Sequence, residues 1–184
     1  MAKRASKKTS DIKVLISQTR LRKRIRELGK EINSKYRGKS LVLVGVLKGC
    51  VLFLSDLSRE LDVDVTFDFL RVSSYGAGTV SSGSVRFEFD LTQPIRGKHV
   101  LLVEDIIDTG LTAKAVMQLL QAKNPASLGL CALLYKPSRA RIKTKVDFLG
   151  FTIPDDFVIG YGLDFAGRYR NLPYVGVLEG ESPG

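Results

Sequence analysis

VEDIIDTGLT, residues Val103 to Thr112, is an apolar run that gives way to three carboxylates and then to a small, flexible turn carrying hydroxyls. Upstream, His99 to Val103 supply a strand; downstream, Leu111 to Leu120 place apolar residues at helical spacing. The stretch predicts a buried strand handing over to a loop that opens a helix, where free N–H groups and the helix dipole attract anions. Glu104 and Asp105 are vicinal carboxylates, the paired oxygen donation that ribose hydroxyls, or a divalent cation chelated by them, require. In Asp108-Thr109-Gly110-Leu111-Thr112, Gly110 lets backbone N–H groups approach a phosphate and the threonines add donors. Taken alone, that pentapeptide is equally an ordinary helix cap, because Asp and Thr are favoured there. Carboxylates beside a phosphate cradle point to a sugar phosphate held with a metal.

The flanking sequence sets this junction in an α/β fold. Leu15 to Ile32 is read as an amphipathic helix, with Leu21, Ile25, Leu28 and Ile32 recurring at steps of 4, 3 and 4 residues. After a turn at Tyr36 to Ser40, Leu41 to Leu47 (LVLVGVL) has the continuous apolar pattern of a parallel strand buried on both faces. A helix over Cys50 to Leu61 and alternating strands over Val63 to Arg71 and Val85 to Asp90 follow. Residues 73 to 84 (SSYGAGTVSSGS) are rich in Gly and Ser and read as a mobile flap. Strand Val100 to Val103, the carboxylate loop, helix Thr112 to Lys123 and strand Leu128 to Tyr135 come next. A basic turn over Lys136 to Lys145 then precedes short strands near Val146 to Phe151, Phe157 to Tyr161 and Tyr174 to Leu178. This order predicts a single domain with a mainly parallel twisted sheet flanked by helices, and ligands bound at the carboxyl ends of its strands.

At 184 residues and 44% hydrophobic, the chain can bury a core without disulfides or structural metal. No apolar run reaches the ~18 residues of a membrane span, and MAKRASKKTS lacks the apolar centre of a signal peptide, so a soluble cytoplasmic protein is expected. Cys50 and Cys131 show no metal-ligand spacing and are expected as reduced core residues, Cys50 with mild activation from its place near a helix start. The net charge of +10 suggests nucleic acid until it is located. Residues 1–39 hold 14 Lys+Arg against 3 Asp+Glu, and the remainder 15 against 16, so the body is nearly neutral. A basic flexible arm over residues 1–10, a charged helix face and no nucleic-acid partner are the expectation.

Absent motifs narrow the chemistry. There is no GxxxxGK[ST] and no GxSxG, and GAGTVS at 76–81 lacks the last glycine of a dinucleotide fingerprint. The single histidine, His99, stands at a strand start and is expected to be structural. Acid-base chemistry therefore falls to carboxylates, lysine or tyrosine.

VEDIIDTGLT resembles the phosphoribosyl pyrophosphate signature of type I phosphoribosyltransferases, and its EDIIDTG form is typical of the hypoxanthine-guanine branch. The resemblance continues in LVLVGVLKGCVLFLSDL (41–57), SSYG (73–76), LLYKPSR (133–139) and VDFLGFTIPDDFVIGYGLDFAGRYRNLPYVGVL (146–178), in the family's order over roughly residues 12–180. It implies the type I phosphoribosyltransferase fold over residues 11–184, with a small hood from the N-terminal helix region and residues 150–180. It implies purine salvage, in which a 6-oxopurine displaces pyrophosphate from 5-phosphoribosyl 1-pyrophosphate through an oxocarbenium-like transition state. The protein would hold the reactants in line, neutralise the leaving group and manage one purine proton.

Residue roles follow from the same resemblance. Asp108, Thr109, Gly110, Leu111 and Thr112 would hold the 5-phosphate, with Ile107 before them also in the substrate site and Asp108 also the general base toward the purine N7 proton. Glu104 and Asp105 would hold ribose hydroxyls directly or through Mg²⁺, and Asp164 would bind a second Mg²⁺ bridging pyrophosphate. Lys48 and Gly49, whose segment carries a Leu47-Lys48 bond that can be cis in this family, would offer N–H groups to pyrophosphate, and Arg170 its fork of donors. Ser74 and Tyr75 belong to the flap. Lys136 would donate to the purine O6 and select oxo over amino purines, Phe157 would stack on the ring, and the Val158 backbone would read its edge. Leu111 stands where several relatives carry a basic residue, which leaves the phosphate to the backbone there, and Ala166, Gly167 and Arg168 also depart from relatives. A homodimer or homotetramer is the family habit. Two rivals stand beside this reading: a xanthine- or guanine-preferring relative, and an RNA-binding, nucleotide-responsive regulator on the same fold.

Overall fold

The computed structural model describes residues 12–74, 85–142 and 144–178. Six strands form the main sheet in the order β4-β3-β2-β5-β6-β7, where β2 is Leu41–Leu47, β3 Val65–Ser74, β4 Val85–Phe89, β5 His99–Ile107, β6 Ser127–Tyr135 and β7 Phe148–Thr152. All neighbours run parallel except β4, which pairs antiparallel with β3 across an irregularity at Arg71/Val72. Three helices cover it: α1 (Gln18–Lys35), α2 (Val51–Ser58) and α3 (Leu111–Ala122). A second, antiparallel sheet joins β1 (Ile12–Ile16), β9 (Val175–Leu178) and β8 (Val158–Ile159).

The central strands divide two cores, as their unbroken apolar runs require. Leu41 and Leu43 of β2 face a layer built with Leu21, Ile25, Leu28 and Ile32 of α1 and with Phe53 and Leu57 of α2. Val42, Val44 and Val46 face the opposite layer, with Ala113, Val116 and Leu120 of α3. Each such fully buried aliphatic side chain contributes about 1.5–3 kcal/mol.

Two boundaries and the state of one thiol differ from the sequence reading. Leu15 and Ile16 fit the helical period but lie in β1, paired with β9; the helix starts after Ser17, whose hydroxyl accepts from the Arg20 N–H at 3.4 Å. The short strand IKVLI was hidden because one turn of apolar residues before a cap satisfies either period. The strand at Val100–Val103 does not stop at the carboxylates: β5 runs on to Ile107 because β6 continues beside it, pairing Glu104 with Ala132 and Ile107 with Tyr135. Glu104 and Asp105 are thus strand residues, and the loop proper is Asp108–Gly110. Finally, Cys50 is not activated. It is fully buried against Gly45, and burial, with the nearby Asp105 and Glu104 charges, pushes its thiol far up.

Two side-chain expectations hold, while the helix expected over Cys50 to Leu61 is shorter, Val51–Ser58. Cys131 is a buried free thiol, and His99 makes a structural contact, with Nδ1 2.8 Å from the Ser127 hydroxyl. Ser73 and Ser74, expected in the flap, are instead the last residues of β3, paired with Arg86 and Val85 of β4; Tyr75 and the rest of the expected flap, residues 75–84, lie outside the described residues, as does the basic arm at 1–10. Among the described residues no helix is long and apolar enough to cross a membrane.

Candidate active site

The carboxyl ends of β2 and β5 lie side by side, so the segments leaving them converge. From β2 the chain passes through a cis Leu47-Lys48 bond into Gly49 and then α2. From β5 it passes through Asp108 and Thr109 to Gly110, whose φ of +81° turns it into α3. That left-handed conformation suits glycine, and a methyl group there would also lie 2.8 Å from the Ile142 carbonyl and the Thr144 hydroxyl. The Thr109 carbonyl accepts from Arg141 N–H at 3.1 Å and Ile142 N–H at 3.3 Å, tying the loop to the segment after β6.

Glu104 is 5% exposed. Burial, reinforced by the Asp105 charge, holds its carboxyl well above the usual range. Asp105 is pushed up to about 6, chiefly by burial; backbone N–H groups and Arg170 oppose the shift and Asp164 adds to it. The Asp105 Oδ1 accepts from Ile106 N–H at 2.9 Å. Its carboxylate occupies the space where a side chain on Gly49 would begin, so only glycine fits at that position.

Two cavities of about 390 Å³ each open here. The first is lined by the Leu47-Lys48-Gly49 turn, Glu104 to Gly110, Thr112, Asp164 and Arg170. Leu111 does not line it; its N–H donates to the Thr109 hydroxyl at 3.4 Å. The second is lined by Lys136, Arg139, Phe157, Val158 and Leu163. Asp105, Ile106, Asp108, Asp164 and Arg170 line both and form the shared wall.

Lys136 is 5% exposed and lies 3.7 Å from Asp155 Oδ1. Phe157 meets Phe165 edge to face, with centroids 5.6 Å apart. Arg170 pairs with Asp164 at 2.5 Å and donates to the Gly162 carbonyl, and the other Asp164 oxygen accepts from Gly167 N–H at 2.7 Å.

Two participants escape sequence reasoning. Arg139 reaches back across the second cavity to place Nε 2.9 Å from Asp108 Oδ1, and Asp155 sits between Arg139 and Lys136. The contact is one of charge, since Asp108 Oδ1 is buried without a partner in hydrogen-bond alignment. LLYKPSR shows a second cation three residues after Lys136, but only the short 3-10 turn at Pro137–Arg139 places it beside Asp108.

No three His, Cys, Asp or Glu side chains among the described residues converge as a ready-made metal cage. The Glu104–Asp105 pair nevertheless suits a hard cation: Glu104 is buried and Asp105 half-buried, desolvation penalises the charge of both, and no described cation pairs with Glu104.

The chain matches the phosphoribosyl transferase domain family over residues 15–166. It is 47% identical over 90% of its length to the hypoxanthine phosphoribosyltransferase of Escherichia coli, of which it covers 94%. It is also 47% identical, over 92% of its length, to the bifunctional protein TilS/HprT of Listeria monocytogenes, but spans only 26% of that protein. The crystal structure of a hypoxanthine phosphoribosyltransferase from Staphylococcus aureus superposes with a TM-score of 0.90 at 42% identity, covering 96% of this chain and 97% of that one.

Proposed function

The chain belongs to the phosphoribosyl transferase family, in its hypoxanthine phosphoribosyltransferase branch, and on that premise we propose that it carries the 5-phosphoribosyl group of 5-phosphoribosyl 1-pyrophosphate to hypoxanthine and guanine, yielding IMP or GMP and pyrophosphate. The observation that carries this reading is the pair of cavities meeting at one wall, which supplies a compartment for each of two reactants and a line of attack between them.

In this reading the ribose and its phosphates fill the first cavity. Backbone N–H groups of Thr109, Gly110 and Thr112 and the two threonine hydroxyls hold the 5-phosphate at the start of α3, and Glu104 and Asp105 take the ribose hydroxyls. Lys48 and Gly49 face pyrophosphate, and Arg170 exchanges Asp164 for its oxygens. The purine lies in the second cavity with Phe157 on its face. The Val158 backbone reads its edge, and the buried Lys136 ammonium donates to O6. A purine nitrogen bonds to C1 as the C1–oxygen bond to pyrophosphate breaks, and the proton of N7 passes to Asp108, which Arg139 keeps turned toward the ring. Glu104, Asp105 and Asp164 would hold Mg²⁺, which when bound supplies positive charge against the pyrophosphate. The reading extends to a homodimer or homotetramer, for which Phe67, Val51 and Leu52 remain exposed.

Initial rates with hypoxanthine, guanine, xanthine and adenine, each with 5-phosphoribosyl 1-pyrophosphate and Mg²⁺, test this directly. Hypoxanthine is expected to lead. Adenine as the best substrate would remove the role given to Lys136, because an amino group does not accept that hydrogen bond.

A further inference from the structure

Behind the reactant cavities lies a third, of about 490 Å³, lined by α1, α2 and residues 171–173. Its wall contains a hydrogen bond that the chemistry above leaves unused: the Tyr161 hydroxyl donates to Asp56 Oδ2 at 2.6 Å. Tyr161 is 6% exposed, and burial together with Asp56 holds its phenol protonated, so it remains a donor across the working range.

The connectivity gives that bond its meaning. Asp56 stands on α2, the helix that issues from the Lys48-Gly49 turn. Tyr161 has a φ of +49° between Gly160 at +90° and Gly162 at +101°, so the chain doubles back at this point. It is then laced into a narrow hairpin by Tyr161 N–H to the Leu172 carbonyl and Gly162 N–H to the Arg170 carbonyl, both 2.9 Å. Gly162 packs directly on the Gly49 carbonyl, with no room for a side chain, and its own carbonyl receives the Arg170 guanidinium. The residue that contacts Gly49 directly follows the Tyr161 anchor, and the same hairpin carries Asp164 and Arg170.

We propose that Tyr161, through Asp56, is a positioning residue for the pyrophosphate half of the site: it pins the 160–172 hairpin to α2 and thereby sets Arg170 and the Gly49 backbone in register. It touches neither reactant. The inference rests on the reading of the first cavity as the sugar-phosphate and pyrophosphate compartment.

Tyr161→Phe removes only the hydroxyl. The KM for 5-phosphoribosyl 1-pyrophosphate and the inhibition constant of inorganic pyrophosphate are expected to rise about 3- to 10-fold, the scale of one lost hydrogen bond. The KM for hypoxanthine should stay within about two-fold, and the melting temperature within about 4 °C. Asp56→Asn keeps an oxygen acceptor and should remain near wild type, while Asp56→Ala should match Tyr161→Phe, and the double variant should be no worse than either. Unchanged pyrophosphate constants in Tyr161→Phe overturn the inference, as does a uniform loss of kcat that follows the melting temperature. These outcomes presuppose a wild type that turns over; a wild type that neither turns over nor binds pyrophosphate overturns the functional reading and this one with it.

Discussion

Asp108 and the Glu104–Asp105 pair lie within five residues of one another and carry different chemistry. Asp108→Asn keeps the shape and removes the proton acceptor, so kcat should fall ~10² to 10⁴-fold while the KM for 5-phosphoribosyl 1-pyrophosphate changes little; equal turnover in steady-state assays would exclude the general-base role. The half-buried Asp105 makes a prediction about stability. Asp105 titrates at about 6 in the fold against an ordinary 3.8, so between pH 4 and 6 the unfolded chain releases a proton that the fold retains. Its contribution is greatest below pH 4 and is lost as pH rises to 6. Asp105→Asn should therefore be more stable than wild type at pH 7 by on the order of 1–2 kcal/mol, with a flatter pH profile by calorimetry, and should lose activity. Identical pH profiles would refute the burial argument. At this scale Asp108 stood out as a carboxylate at the end of an apolar strand, whereas Lys136 and Phe157, a turn lysine and an aromatic at strand spacing, were singled out only by the family resemblance. Arg139 was not, since its proximity to Asp108 exists only after a 3-10 turn folds it back.

Elements were legible where one period dominated. Strand β2 matches its expected bounds, because a seven-residue apolar run between two turns admits little else. The end of β5 and the existence of β1 were not legible, since each depends on a partner strand distant in sequence: β6 extends β5 past its carboxylates, and β9 recruits Ile12–Ile16. The hinge between β5 and α3 is Gly110, and Gly110→Ala combines a left-handed backbone with a methyl group against the Ile142 carbonyl. It should cost about 1–3 kcal/mol in denaturant melts and raise the KM for 5-phosphoribosyl 1-pyrophosphate more than that for hypoxanthine. Wild-type stability would mean that the loop relaxes freely.

For the whole molecule, charge and site are separable. Every residue of the two cavities falls between Val46 and Arg170, in a body whose acids and bases nearly balance, whereas the excess of Lys and Arg lies in residues 1–39. Deleting residues 1–10 should leave kcat and KM within about two-fold of wild type; a large loss of turnover would assign the arm a part in catalysis. The shared wall has a further consequence for how such a protein changes over time. Lys136, Arg139, Phe157, Val158 and Leu163 line only the second cavity, and the Leu47-Lys48-Gly49 turn, Thr109 and Thr112 only the first. On the proposed assignment, substitutions at Phe157, Val158 or Leu163 would redraw the choice of base and leave the residues of the donor compartment in place, whereas a change at Arg139 would reach the shared wall through Asp108.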